Sequence, residues 1–221
     1  MGTTKIDRTR VAATALRLLD EVGLDGLSLR AIARELGVKA PALYWHFKDK
    51  QALLDEMATE MYRRMAAEDL PATDGSWQQG LLAYNRALRA MLLRHRDGAR
   101  VYSGARFTGT EHANSLERHL SAMTACGFGL AQAVGAGTTA YSYTVGFVIE
   151  EQGVQPMPEE RREGYDIEER ARRLADYPLT AAAGREIFTD YDRRFEEGLR
   201  LVVAGVEAVY GPGSVTGNPE G

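Results

Sequence analysis

Between Leu27 and Lys50 the sequence reads LSLRAIARELGVKAPALYWHFKDK, and this stretch constrains the architecture more than any other. Leu29, Ile32, Ala33 and Leu36 recur at helical spacing and share one face. Ser28 stands where an N-cap hydroxyl accepts a bond from a free backbone N–H. A first helix is therefore predicted from about Leu29 to Leu36, with Gly37 supplying the permissive backbone of a sharp exit. Pro41 suits the first turn of a second helix, where its missing N–H costs little. That helix, about Ala40 to His46, carries Tyr44 and Trp45 side by side. Adjacent residues do not share a helix face, so the core can hide at most one ring fully. Two helices around a glycine-containing turn suit insertion of the second into a DNA major groove.

The flanking segments read as helices too. Val11, Ala15, Leu18, Leu19 and Val22 make an apolar stripe over Asp7 to Val22, closed by Gly23. Asp49 is positioned to cap a helix from Lys50 to about Glu68, with Leu53, Leu54, Met57, Met61 and Met65 on its core face. Leu70 to Gly75 has loop composition. Ser76-Trp77-Gln78-Gln79 has the form of a capping box and opens a helix to about Arg94. Further helices are predicted over Thr110–Ala125, stopped by Gly127, and over Leu130–Gln152. The latter is rich in glycine and alanine, whose use is the close approach of another backbone. Residues 153–180 read as a loop, their charge run as a solvated segment, and the last helix is predicted from Arg185 to Tyr210. The expected fold is all-α, with a three-helix DNA-binding head at 1–50, a helical body at 51–212 and a disordered tail at 213–221.

Charge separates along the chain. Residues 1–50 hold nine Lys/Arg against six Asp/Glu, a balance of +3, and the remainder eighteen against twenty-five, a balance of −7. A basic head on an acidic body fits a head that meets phosphates. Cys126 is the only cysteine, which excludes an intrachain disulfide and a cysteine zinc site. No apolar run reaches the ~20 residues of a membrane span, and MGTTKIDRTR lacks the apolar core of a signal peptide. The expected setting is the reducing cytoplasm, with no membrane partner.

The run AIARELGVKAPALYWHFKDKQALLDEM resembles the DNA-binding segment of the TetR family of transcriptional repressors, most closely its tetracycline-responsive members. A second match lies at His95-Arg96-Asp97-Gly98-Ala99, followed by Arg106 and by Val148 to Gln152, so the resemblance covers nearly the whole chain. It implies a dimer on a palindromic operator in double-stranded DNA, joined through the helices near 130–152 and 185–210, and released by a small-molecule inducer. It also implies that Arg30, Pro41, Tyr44, Trp45 and Lys50 touch the operator.

Residue chemistry gives roles within that frame. Arg30 can pair with guanine O6 and N7, and Ala40 and Ala42 can meet thymine methyls. Lys48 and Lys50, at the start of the fourth helix, can neutralise phosphates, and Lys39 extends the basic cluster. Ala40 and Ala42 stand where the tetracycline-responsive members carry polar residues, so the operator sequence does not carry over. In the body, Tyr102 replaces a metal-binding histidine, Tyr84 an asparagine that holds the drug, Leu88 a phenylalanine and Ala66 a pocket histidine. Arg106 and Glu150 match, and His119 is an approximate match. A phenol of pKa ~10 is a poor magnesium ligand, so no cofactor is expected, magnesium included. A pocket lined by Tyr84, Leu88, Tyr102, Arg106, Phe107, His119, Tyr141, Tyr143, Phe147 and Glu150 suits an aromatic or amphipathic effector.

A second class stays open: an all-α small-molecule-binding or metal-dependent enzyme with a vestigial helix-turn-helix. His112, His119 and Glu150 are its candidate ligands. Two histidines seven residues apart on a helix stand ~10 Å apart along its axis, too far to share one ion comfortably. Cys126, before Gly127 at a helix end, reads as a small buried residue rather than a nucleophile.

Overall fold

The computed structural model describes residues 7–68 and 75–211. The expected loop at 70–74 and the expected disordered tail at 213–221 lie outside the described residues. Among those described there are eleven α-helices and no strand.

Helix α1 (Arg8–Gly26) starts where Asp7 accepts a hydrogen bond from the Arg10 N–H at 2.6 Å. Val11, Ala15, Leu18 and Leu19 are buried. Val22, which the stripe includes, is 49% exposed, beside a kink at Gly23 (φ 69°) beyond which helical structure runs on to Gly26. Helices α2 (Leu29–Glu35) and α3 (Ala40–Tyr44) follow, the first capped by Ser28, which accepts from the Ala31 N–H at 3.2 Å. Between them Gly37 takes the left-handed φ of 68° that the sharp turn requires.

Asp49 caps α4 (Lys50–Ala66), accepting from the Ala52 N–H at 2.7 Å. Leu53, Met57, Met61 and Met65 are buried along its length, and one apolar core runs from Val11 to Val148 past it. The first half of α4 packs on α1, and its second half reaches α5 (Trp77–Leu93) and α6 (Gly98–Tyr102). Packing therefore continues through residue 50, where the head was expected to end.

The body is completed by α7 (Glu111–Ala125), α8 (Leu130–Val154) and α11 (Tyr191–Tyr210). Ala133, Ala136 and Ala140 of α8 are fully buried in a second core with Phe195, Leu199, Val203 and Val206 of α11. At the α5–α8–α11 junction Arg89 grips Glu151 through two bonds of 2.7 and 3.0 Å and reaches Asp192 at 2.7 Å. Its guanidinium lies 5.0 Å from the Phe195 ring centroid. Gly98 opens α6 at a position where any Cβ collides with the Leu92 carbonyl oxygen, and Gln152 caps that helix by accepting from the Ala99 N–H at 3.1 Å.

The 153–180 loop reading is corrected. Helix α9 (Ile167–Arg173) is capped by Asp166, and α10 (Pro178–Phe188) carries Pro178 in its first turn and an alanine run that favours helix. Helix α9 buries no residue and α10 only Gly184, so neither adds an apolar face to the core. The last helix begins at Tyr191 rather than Arg185, because Asp190 takes a left-handed φ of 49° and breaks the run.

Candidate nucleic-acid interface and ligand cavity

Leu43 and Phe47 are fully buried and anchor α3, and this leaves Tyr44 50% and Trp45 90% exposed. Core packing therefore accounts for neither ring. Arg30, Lys39, Pro41, Lys48 and Lys50 are exposed as well, while Ala40 and Ala42 are half-buried. All nine residues singled out from the sequence lie between Arg30 and the start of α4. The Lys50 ammonium donates to the Leu24 carbonyl at 2.8 Å, which ties α4 to the α1–α2 turn and leaves further N–H donors. Sequence reading missed Arg8. Its guanidinium lies 4.6 Å from the Phe47 ring centroid and donates to the His46 carbonyl at 2.7 Å, bracing the end of the α3 segment. No local pattern marks a contact that spans 38 residues. Arg30→Ala is expected to relax base preference at one position and to weaken DNA binding by about 1–3 kcal/mol. Selection of bound sequences by the variant checks this; unchanged selectivity removes Arg30 from the reading set.

In the body a cavity of about 780 Å³ opens among α4, α5, α7 and α8. Tyr84, Tyr102, Phe107 and His119 line it, as does Tyr141. The other sequence candidates are not brought to it. Leu88 is fully buried in the core. Arg106 is exposed, its backbone N–H bonded to Asp55 at 3.0 Å. Tyr143 and Phe147 face α11: the Tyr143 hydroxyl donates to the Phe195 carbonyl at 3.0 Å, and the Phe147 ring meets Phe195 at 5.4 Å. Two residues along a helix is about 200° of rotation, so Tyr141 and Tyr143 point oppositely. Glu150 is exposed.

Tyr62, Trp77, His112 and Arg118 also line the cavity and were not foreseen as a pocket. His112, Ser115, Leu116, His119, Ala122 and Met123 do recur at steps of three and four. That stripe mixes polar and apolar residues, so hydrophobic periodicity does not flag it. Gly137 makes room for the His119 ring, whose Nε2 faces the Ala133 carbonyl at 3.2 Å. Burial pushes the hydroxyls of Tyr84, Tyr102 and Tyr141 above the ordinary tyrosine range, keeping them neutral donors at pH 7. The Tyr62 hydroxyl and His112 Nδ1 are buried without a hydrogen-bond partner among the described residues. His112 and His119 share the cavity without Glu150, and no group of three His, Cys, Asp or Glu among the described residues could hold a metal ion.

Buried polar contacts connect cavity and head. Glu56 of α4, 3% exposed, accepts from Arg8 at 2.7 Å, Arg63 at 3.2 Å and the Thr108 hydroxyl at 3.1 Å. Arg63 also bonds Glu111 at 2.8 Å, next to His112. A second junction joins the end of α1 to the turn before α6. There Asp20 contacts His95 Nδ1 at 3.0 Å and accepts from the Arg96 N–H at 3.0 Å, while Asp97 accepts from the Leu24 N–H at 2.9 Å.

Comparison with known proteins matches both halves. Residues 12–57 fit the family described as bacterial regulatory proteins, tetR family, and residues 70–210 fit the tetracyclin repressor-like C-terminal domain. The class A tetracycline repressor protein from transposon 1721 of Escherichia coli is 37% identical over 207 residues, covering 92% of this chain and 91% of that protein. A possible TetR family transcriptional regulator from Streptomyces coelicolor A3(2) superposes with a TM-score of 0.78 at 38% identity, covering 92% of this chain and all of that one. BioQ, solved with its double-stranded DNA operator, gives a TM-score of 0.64 at 29% identity, covering 92% and 99% of the two chains.

Proposed function

The chain belongs to the TetR family of bacterial regulatory proteins, and we propose that it is a dimeric repressor released from DNA by a small molecule. In this reading two copies present α3 to successive major grooves of a palindromic operator, ~34–36 Å apart. Arg30, Ala40, Pro41, Ala42, Tyr44 and Trp45 meet base edges and backbone, and Lys39, Lys48 and Lys50 meet phosphates. BioQ bound to its operator supports this use of the head. No helix among the described residues is long and apolar enough to cross a membrane.

The observation that carries the reading is Glu56. One buried carboxylate on α4 holds Arg8, which braces the α3 segment, and Thr108, in the loop that carries Phe107 to the cavity. An effector that repositions that loop must move α4 or break these bonds, and either outcome disturbs the head. Release is then a population shift, set by the effector's differential affinity for the two conformers. The test is selection of bound sequences from a random duplex pool, followed by a screen for compounds that abolish the selected complex. Recovery of a palindrome and of a releasing compound is expected; weak, unselective capture overturns the reading.

The effector differs from tetracycline in this proposal. Tyr102 stands in the cavity as a neutral phenol, which magnesium binds poorly. Saturating tetracycline with magnesium is expected to leave the operator complex intact in a gel shift; release of the DNA overturns that assignment.

A further inference from the structure

We infer that the cavity takes a planar aromatic compound bearing an ionised oxygen acid, bound without a metal ion; the inference rests on the reading of the cavity as the effector site. The charged and titratable chemistry of its wall is one-sided. Arg118, His112 and His119 line it together with tyrosines, and among the described residues no Asp or Glu does. Of the described acids next to lining residues on α7, Glu111 is already paired with Arg63, and Glu117, between Leu116 and Arg118, is exposed and outside the lining. Arg118 reaches only the Ser115 hydroxyl, at 3.4 Å, and has no ion-pair partner among the described residues. Among the described residues a cationic ligand therefore finds no counter-charge in the wall, and a chelated divalent ion finds no carboxylate.

An oxyanion meets the opposite situation. It satisfies the Arg118 guanidinium and offers an acceptor to the buried, unpartnered Tyr62 hydroxyl or His112 Nδ1. Leaving such groups unpaired is costly, and hydrogen bonds to an ionised acceptor are about twice as strong as neutral ones. The rest of the wall sets the shape. Phe107 lies 4.9 Å from the His112 ring, 5.3 Å from Tyr62 and 5.6 Å from Tyr102, and Tyr102 is 6.4 Å from Tyr141. These rings, tilted by 34–62° to one another, offer several aromatic faces and edges to a planar ligand, in a volume of about 780 Å³ that admits several fused rings.

The test is calorimetric titration of the full chain, in EDTA, with three matched probes: anthraquinone-2-carboxylate, anthraquinone-2-carboxamide and 2-(aminomethyl)anthraquinone. The carboxylate is expected to bind at least about tenfold more tightly than the carboxamide, and the amine least of all. Arg118→Gln, at an exposed position, is expected to weaken carboxylate binding more than carboxamide binding and so to abolish the carboxylate preference. Equal binding of the three, preference for the amine, or binding only after magnesium is added overturns the inference and leaves the cavity as an effector site. Failure of every probe to bind, with magnesium or without, overturns the effector reading itself and this inference with it.

Discussion

Leu201→Glu is expected to leave a folded chain that is monomeric and binds the selected operator about 10²–10⁴-fold more weakly, the factor lost when two tethered sites act alone. Leu201 is 75% exposed, and Ala204, Gly205, Ala208 and Val209 of α11 are exposed beside it. Thr139, Ser142 and Gly146 present a similarly small, uncharged face on α8. In the proposed dimer these two faces meet their copies, and small residues let the backbones approach. A carboxylate placed there is buried without a partner. The same change in a lone chain sits in water and alters folding by no more than about 0.5 kcal/mol. Sedimentation, circular dichroism and a gel shift decide the matter together. A variant that remains dimeric, or a monomer with full operator affinity, places the interface elsewhere.

The second large effect concerns stability. Arg89→Met is expected to destabilise the fold by about 3–5 kcal/mol, because it strands Glu151. The Arg89 side chain is 12% exposed and that of Glu151 8%, so water reaches neither freely. Asp192 is 90% exposed and adds little. The double variant Arg89→Met with Glu151→Gln is expected to recover most of the loss, since a neutral buried pair carries no uncompensated charge. Urea unfolding of the two variants at matched protein concentration tests this. A double variant as unstable as the single one shows that the cost arises from lost packing on Phe195, where the guanidinium lies over the ring.

Some of the site was legible because its signals are local. Ser28, Gly37 and Pro41 are cap, turn and first-turn residues whose roles depend on near neighbours, and α2 and α3 form where they indicate. Tyr44 and Trp45 could not both be buried, and Leu43 and Phe47 take the core in their place, leaving both rings outside. In the body, the resemblance nominated Tyr84, Tyr102 and His119, which line the cavity, but also Leu88, Arg106 and Glu150, which do not; of the aromatic residues added to them, Phe107 and Tyr141 line it and Tyr143 and Phe147 do not. Nothing in one sequence says which face of a helix apolar all round meets a void and which meets α11. The helices α9 and α10 were missed for another reason: Gly153, Pro156, Pro158, Gly164, Pro178 and a charge run read as loop, whereas Pro178 takes the first turn of α10 and Asp166 caps α9.

The sequence by itself determined the all-helical architecture, the helix-turn-helix, the basic head and the exclusion of an intrachain disulfide, because caps, turns, period and composition act over a few residues. Only the tertiary structure decided which side chains share the cavity, that no acid among the described residues lines it, and that Glu56 joins Arg8 to Thr108. Those contacts link residues about fifty positions apart. Such pairings follow from how whole helices pack, and the free energy that selects them is spread over the entire core.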